Sequence, residues 1–335
     1  MTISIRLTGE DLAETRFAFS PIWELGMSLY KPLRDPSKHA LHLPWVQEAR
    51  AAIKGHDLSL LFAVVPSPDL PPDAHPYVPD FLTPPPETPF PEYEEELDIV
   101  ARTPAAKIRG DIDMMRRSMG ATSLPEPAER MIEDPAAMLP RLVEQMRDYW
   151  KLAIEPFWPR IRGLHEADVT YRARQLALGG AELLFADLHP MVEWRDGSLN
   201  IAKNFEATID PAGRGLILIP AVFDWPGIAI LSEETEQPTL SYSPRGIATL
   251  WEHDPPQRTG AMDELIGGTR ADILRVLEIP MTTGELARRL HLTPAAVSQQ
   301  LGTLRRAGVV DARRQGREVY SELTAEGSKL LDLLG

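Results

Sequence analysis

The chain has 335 residues, enough for two domains, or for one large and one small. Its 43% hydrophobic and 25% charged residues suit a soluble fold, no apolar run spans a bilayer, and the start MTISIRLTGE lacks the basic and apolar regions of a signal peptide, so the expectation is a cytoplasmic protein without a membrane partner. The absence of cysteine excludes disulfides and thiolate metal sites, and the net charge of −14 excludes a uniformly basic surface.

Residues 2–8 alternate Ile3, Ile5 and Leu7 with polar partners, the period of a half-buried strand. Thr8 and Asp11 have the spacing of a capping box for a helix carrying Leu12 and Phe17. Ser20-Pro21 opens a second helix, rich in apolar residues from Ile22 to Leu29. Leu43-Pro44 opens a third, running to Ala52, and 58–65 is a further apolar segment. Residues 66–91 contain eleven prolines, which rules out regular helix across most of the stretch. It reads either as a flexible or polyproline linker or as an ordered loop wrapping the domain. Tyr77, Phe81 and Phe90 would want burial, which favours the wrapped loop. Residues 92–102 form an acidic helix whose glutamates read as a solvated face, and Thr103-Pro104 starts another helix, ending near Met119.

From Asp134-Pro135 to Leu188 the pattern is nearly all helical, interrupted by Pro140, Pro156, Pro159 and Gly179-Gly180. Its Trp150, Phe157 and Trp158 form either core or a pocket for an apolar ligand. At Met191 the period changes. Residues 192–194 and 199–201 flank Asp196-Gly197 as a hairpin, and 215–221, 228–231 and 239–242 read as strands. Together they predict a small, largely antiparallel sheet beside the helices. Ile247 to Trp251 suggests a short helix, and 251–259 a junction. Residues 261–266 and 269–278 are then two helices.

Residues 282–323 read as helix, tight turn, second helix and a two-stranded wing. Thr282 and Glu285 can cap the first helix, in which Leu286 and Leu290 share a face. His291-Leu292 connects it to a helix capped by Thr293, with Pro294 in its first turn. There Val297, Leu301 and Leu304 form a buried stripe. The other side carries Ala295, Ala296, Gln299, Gln300 and Thr303, with Ser298 at its flank. Short side chains and amides that donate and accept are what a base edge in the major groove requires. Arg305 and Arg306 suit the C-terminal end of the dipole and can reach phosphate, and Gly308 is placed to end the helix left-handed. Residues 309–314 and 317–323 flank Gln315-Gly316 as a hairpin with Arg313, Arg314 and Arg317 at its tip, a clamp for a sugar-phosphate backbone. Thr324 caps a last helix carrying Leu330, Leu331 and Leu334, a stripe that suggests a dimer seam or docking onto the N-terminal body.

The segment 270–323 resembles the winged helix-turn-helix of ArsR-like bacterial transcriptional regulators. The features that carry the resemblance are Arg270 with Ile273-Leu274 and Leu277, Gly284-Glu285-Leu286-Ala287, Val297-Ser298-Gln299-Gln300-Leu301, residues 304–310, and Arg314-Gln315-Gly316-Arg317 with Val319-Tyr320. The family often has His where Gln300 stands. The resemblance covers about the last fifth of the chain and implies DNA binding. Many relatives sense soft metals through cysteine thiolates; this chain has none, so that function does not carry over. Charge placement agrees: residues 260–335 hold ten Lys/Arg and ten Asp/Glu, so the whole −14 resides in 1–259.

Elsewhere the eight histidines are scattered, and His39 with His42, His165-Glu166 with Asp168, and Trp251-Glu252-His253-Asp254 form no strong metal spacing. No phosphate loop and no nucleophile elbow is present. The expectation is therefore an α+β protein without cofactor, metal or catalytic residues. Residues 1–258 form a mainly helical regulatory or dimerisation domain, and 259–335 a winged helix-turn-helix. The expected partners are a palindromic operator in double-stranded DNA, a second copy of the chain and a small-molecule effector. The alternative is an enzyme or interaction protein whose C-terminal module tethers it or binds protein.

Overall fold

The structure is a computed structural model and describes residues 1–67, 70, 76–203, 205–232, 236–251, 265–277, 280–290, 292–315 and 318–334. The chain divides into two compact units, Met1–Trp251 and Glu252–Gly335. The boundary expected at 258/259, and residues 261–264 of the helix expected over 261–266, lie outside the described residues.

The N-terminal unit is a helical body joined to two sheets. Its helices include Pro21–Tyr30, Leu43–Ala52, Tyr93–Ala101, Ala105–Ser118, Pro135–Tyr149 and Trp158–Ala186. Pro21–Tyr30 lies at the centre: its first nine residues are all buried, the polar Glu24 and Ser28 included. Ser20 caps it by accepting from Trp23 N, and its core neighbours include Trp45, Phe81, Tyr149 and Phe223. The described part of the proline-rich segment wraps this body. Its carbonyls take the donors of side chains beneath them: Trp23 Nε1 donates to Pro84 O at 3.0 Å and Arg16 donates to Pro86 O at 2.7 Å. Phe81 is buried, whereas Phe90 is 61% exposed and meets Phe19 edge-on, so one of the aromatics expected inside lies outside.

The sheet portion differs from the single, largely antiparallel sheet predicted. There are two four-stranded sheets in this unit. In one, Thr2–Arg6 pairs antiparallel with Ser198–Ala202 and parallel with Ala207–Ile209, and Val192–Arg195 forms the hairpin edge. Asp196 and Gly197 both have positive φ, as a tight hairpin turn demands. In the other, Ile217–Pro220 lies parallel to both Arg16–Phe17 and Thr239–Tyr242, and Ile228–Leu231 closes it antiparallel. Half of the six pairings are parallel: two join the first strands of the chain to strands some 200 residues later, and the third joins Ile217–Pro220 to Thr239–Tyr242. Leu218, Leu240 and Tyr242 join Ile5, Leu199 and Ile201 in an apolar layer common to the two sheets, while Ile217 and Ile219 belong to the helical core. Ile217–Pro220 is thus buried on both faces.

Three local expectations change. The helix capped by Thr8 and Asp11 stops at Glu14, and Phe17 lies on a strand. Thr103 makes no capping bond; Pro104 occupies that position. Glu96 is not on a solvated face: it is 1% exposed and accepts from Ser20 Oγ at 2.6 Å and Ile22 N at 2.9 Å. Burial pushes its carboxyl up to about 8 despite these bonds.

In the C-terminal unit, helices Gly268–Val276, Thr283–Arg289 and Pro294–Arg306 surround a core of Ile273, Leu274, Leu277, Leu286, Val297, Leu301 and Leu304. The hairpin Val310–Gln315 with Glu318–Leu323 gains a third strand, Met281–Thr282, which was not expected. The last helix, Ala325–Leu334, places Leu330 and Leu331 against this same core.

Candidate nucleic-acid interface

The site is built from two short elements locked together by local chemistry. Thr282 N donates to Glu285 Oε2 at 2.8 Å while Glu285 N donates to Thr282 Oγ1 at 3.3 Å, the reciprocal cap expected from their spacing. Thr293 Oγ1 accepts from Ala296 N at 3.2 Å and starts the helix Pro294–Arg306. Val297, Leu301 and Leu304 bury one stripe of that helix. Burying such a side chain stabilises by about 1.5–3 kcal/mol, enough to fix which way the helix faces. At the far end Gly308 has φ +75 and carries the chain into the wing.

The opposite stripe is open. Thr293, Ala295, Ser298 and Gln299 are exposed, as are Arg305 and Arg306; Ala296, Gln300 and Thr303 are half-buried. The structure assigns these groups unequal freedom. Gln300 Oε1 accepts from Arg270 Nε at 3.0 Å, so a residue of the preceding helix orients this amide and leaves its NH₂ to donate outward. Thr303 Oγ1 accepts from Arg306 and donates to Gln299 O, so it is largely engaged within the helix. Arg305 donates to the buried Ser321 Oγ at 2.8 Å, which ties the helix to the wing. The exposed Gln299 and Ser298 side chains make no hydrogen bond among the described residues.

On the hairpin, Arg313 faces Tyr320 in register and Arg314 faces Val319. Both arginines are exposed. Neighbours along a strand project to opposite faces, so the two do not form the single cluster that their adjacency suggests. Arg317, the Gln315 side chain, Gly316 and His291 lie outside the described residues, as do the side chains of Arg288 and Arg289. Arg270 is the residue whose role sequence spacing did not assign: it acts on Gln300 thirty positions away, and no local pattern encodes that pairing.

The aromatic group of the N-terminal unit is core, not a pocket. Trp150 is 5% exposed and stacks on Tyr93 with centroids 4.3 Å apart; none of Trp150, Phe157 and Trp158 lines the unit's cavity. His39, His42 and His165 are also internal, and Glu252, His253 and Asp254 lie outside the described residues. His165 Nε2 lies 2.8 Å from Glu24, whose carboxylate also accepts from Val222 N and Phe223 N. His42 Nδ1 accepts from Trp251 Nε1, and burial, then His39 and Lys31, hold its ring down to about 3, so it is neutral. Asp168 binds Arg172 and Tyr242 in the core. Among the described residues no group of three His, Asp or Glu is placed to hold a metal ion, and no helix is long and apolar enough to cross a membrane.

Three helices, a capped and exposed second helix of the pair, and a three-stranded wing define a winged helix-turn-helix module. The family and sequence comparisons with known proteins agree. Residues 266–313 match the family model described as "Helix-turn-helix domain", and residues 111–246 match a "Family of unknown function (DUF5937)". A biofilm growth-associated repressor of Agrobacterium fabrum is 37% identical over 54 residues, 16% of this chain and 46% of that protein. The transcriptional activator HlyU of Vibrio cholerae is 37% identical over 60 residues, 18% of this chain and 56% of that protein. The chain thus spans about half the length of the curated relatives it matches. Among solved structures, reduced HlyU from Vibrio cholerae aligns at 30% identity over 26% of this chain and 93% of that one, with a TM-score of 0.20. BldR from Sulfolobus solfataricus aligns at 23% identity over 26% and 68%, with a TM-score of 0.21.

Proposed function

We propose that the chain is a DNA-binding transcriptional regulator that acts as a homodimer on a two-fold operator. The observation that carries the reading is the juxtaposition of Ser298, Gln299 and the Arg270-held Gln300 on one open helix face with Arg306 at its end and a wing bearing Arg313 and Arg314. Amides on a helix exposed in this way match base edges in the major groove, and guanidiniums on the adjoining hairpin match phosphate. The relatives named as a repressor and a transcriptional activator support the same reading.

Each protomer would lay the helix Pro294–Arg306 in a major groove with the wing along the backbone. A two-fold pair would then need half-sites about one helical turn apart, or a multiple of it. The N-terminal unit would set that separation, and a ligand with different affinity for two arrangements would change it.

The test is binding to fragments of the native genome and to random duplex over a range of salt. Gln299→Ala is expected to alter sequence preference, costing about 1–3 kcal/mol at one position of the operator. Arg314→Ala is expected to weaken specific and random duplexes alike and to reduce the salt slope by about 1. Equal losses from both variants on both kinds of duplex would contradict these roles, and binding that ignores salt would contradict the whole reading.

A further inference from the structure

The N-terminal unit holds a cavity of about 1090 Å³. It lies between the helix Pro21–Tyr30, the wrapped proline-rich loop, the helix Ala105–Ser118 and the strand Ile228–Leu231. Its body is apolar: Trp23, Met27, Val78, Met114, Phe205 and Ile230 contribute to the wall. A space of this size and lining is that of a small-molecule site, and a few polar groups then decide what enters.

Those groups divide into satisfied and unsatisfied. Asp111 accepts from Phe81 N at 2.8 Å and lies 3.6 Å from Lys107, and Asp80 bonds with the Tyr77 hydroxyl. Lys31 is paired with the fully buried Asp224, whose other oxygen accepts from Ser241. Lys203 differs. Its ammonium donates to Ile228 O at 3.0 Å, and among the described residues no carboxylate lies within ion-pair distance. Burial, and then Lys31, hold its pKa below the usual lysine value, while Asp224 opposes them weakly. Among the described residues one carboxylate therefore serves two ammonium groups, and a half-buried cation with free N–H donors faces an apolar chamber. The Tyr30 hydroxyl, one residue before Lys31 and on the same wall, has no hydrogen-bond partner among the described residues and supplies a second donor. A buried charge without a counter-charge is costly, and an incoming anion removes that cost.

We propose that this cavity binds an apolar acid, an aromatic or alkyl body ending in one carboxylate, with the carboxylate on Lys203 and the body against Trp23, Met27 and Met114. That such a ligand is an effector rests on the regulator reading above; that it binds does not. The ligand would bridge the loop, the helices and the sheet, so it stabilises the unit whether or not DNA is present.

The experiment titrates the full-length protein with phenylbutyrate, phenylbutanol and phenylbutylamine, which share one body and differ in charge. Calorimetry and thermal melting are the readouts, and DNA binding is measured separately on the ligand-free protein. The acid is expected to bind at least about tenfold more tightly than the alcohol, with the amine weakest, and near saturation to raise the melting temperature by roughly 5 °C. Lys203→Gln is expected to bring the acid down to the affinity of the alcohol without altering the alcohol itself. Should that variant fold poorly, Tyr30→Phe supplies the second arm, with a smaller loss confined to the acid. Equal affinity for acid and alcohol, no binding of any probe at millimolar concentration, or an undiminished preference for the acid in both variants would overturn the proposal. Loss of DNA binding with these ligand results intact would overturn only the regulator reading.

Discussion

Single residues carry much of the behaviour expected of this protein, and two of them act through partners distant in the chain. Gln300 is held by Arg270, so its amide has a defined direction before any DNA arrives. Arg270→Ala should therefore reproduce part of the change in sequence preference caused by Gln300→Ala. The double variant should lose less than the sum of the two single losses, as measured on operator variants, since residues in one network are coupled by about 0.5–3 kcal/mol. Glu96 is the second case. Its folded-state pKa, about 8, lies above the ordinary 4.5, so between those values the unfolded chain gives up a proton that the folded chain keeps. Stability should fall as pH rises through that window, by on the order of 5 kcal/mol in all. Glu96→Gln keeps an acceptor for Ile22 N and can donate to Ser20 Oγ, so it should flatten this slope. Urea denaturation at pH 5 and pH 8 measures it, and a parent protein equally stable at both pH values would refute the assignment. Asp11 shows the opposite sign. Burial raises its pKa, but bonds from Thr8, Gly213 and Gly215 outweigh this and hold it below the usual aspartate value.

At the scale of elements, helix ends were largely legible and the two-residue strands were not. Thr8 with Asp11, Ser20 with Pro21, Thr282 with Glu285, and Thr293 all cap as their spacing implies, because a cap is satisfied within three residues. Met281–Thr282 could not be foreseen, since a strand of two residues exists only through Tyr320 and Ser321 opposite it. The docking of the last helix depends on the same kind of tertiary contact. Thr324 Oγ1 donates to Gly308 O at 2.7 Å, and a Cβ on Gly327 would lie 2.0 Å from Val309 O. Gly327→Ala should push this helix off the wing at a cost of about 1–3 kcal/mol. Faster amide exchange in 325–334, with the helix Pro294–Arg306 still protected, is the expected result; unchanged exchange would show that the contact is not structural. By contrast Gly308→Ala acts through backbone strain alone, at φ +75, and should cost roughly 1 kcal/mol.

For the whole molecule, the parallel strand pairs and the cavity depend on meetings between parts of the chain far apart. Thr2–Arg6 and Arg16–Phe17 each pair with strands beyond residue 190, and the cavity draws walls from residues near 25, 80, 114, 203 and 230. Periodicity could identify those strands but not their neighbours, so a single antiparallel sheet was the natural expectation. Charge, read along the chain, was more informative. With the −14 confined to 1–259 and five arginines between Ser298 and Tyr320, DNA affinity should fall steeply with salt. A log–log slope near −0.9 per phosphate neutralised is the expected measurement.

Sequence alone determined what is local in this protein: the capped helices, the buried stripe of Val297, Leu301 and Leu304, the arginine-bearing hairpin and the absence of thiolate chemistry. These depend on spacings of a few residues, and backbone geometry converts such spacings directly into faces and ends. Tertiary structure decided which side chains of the helix Pro294–Arg306 are already engaged within the protein, because Arg270 and Ser321 bond Gln300 and Arg305 from other elements. It also decided that Glu96 is internal and that Lys203 looks into an apolar chamber without a carboxylate partner among the described residues. Desolvation and pairing depend on what surrounds a group in space, and one-dimensional order does not specify those surroundings.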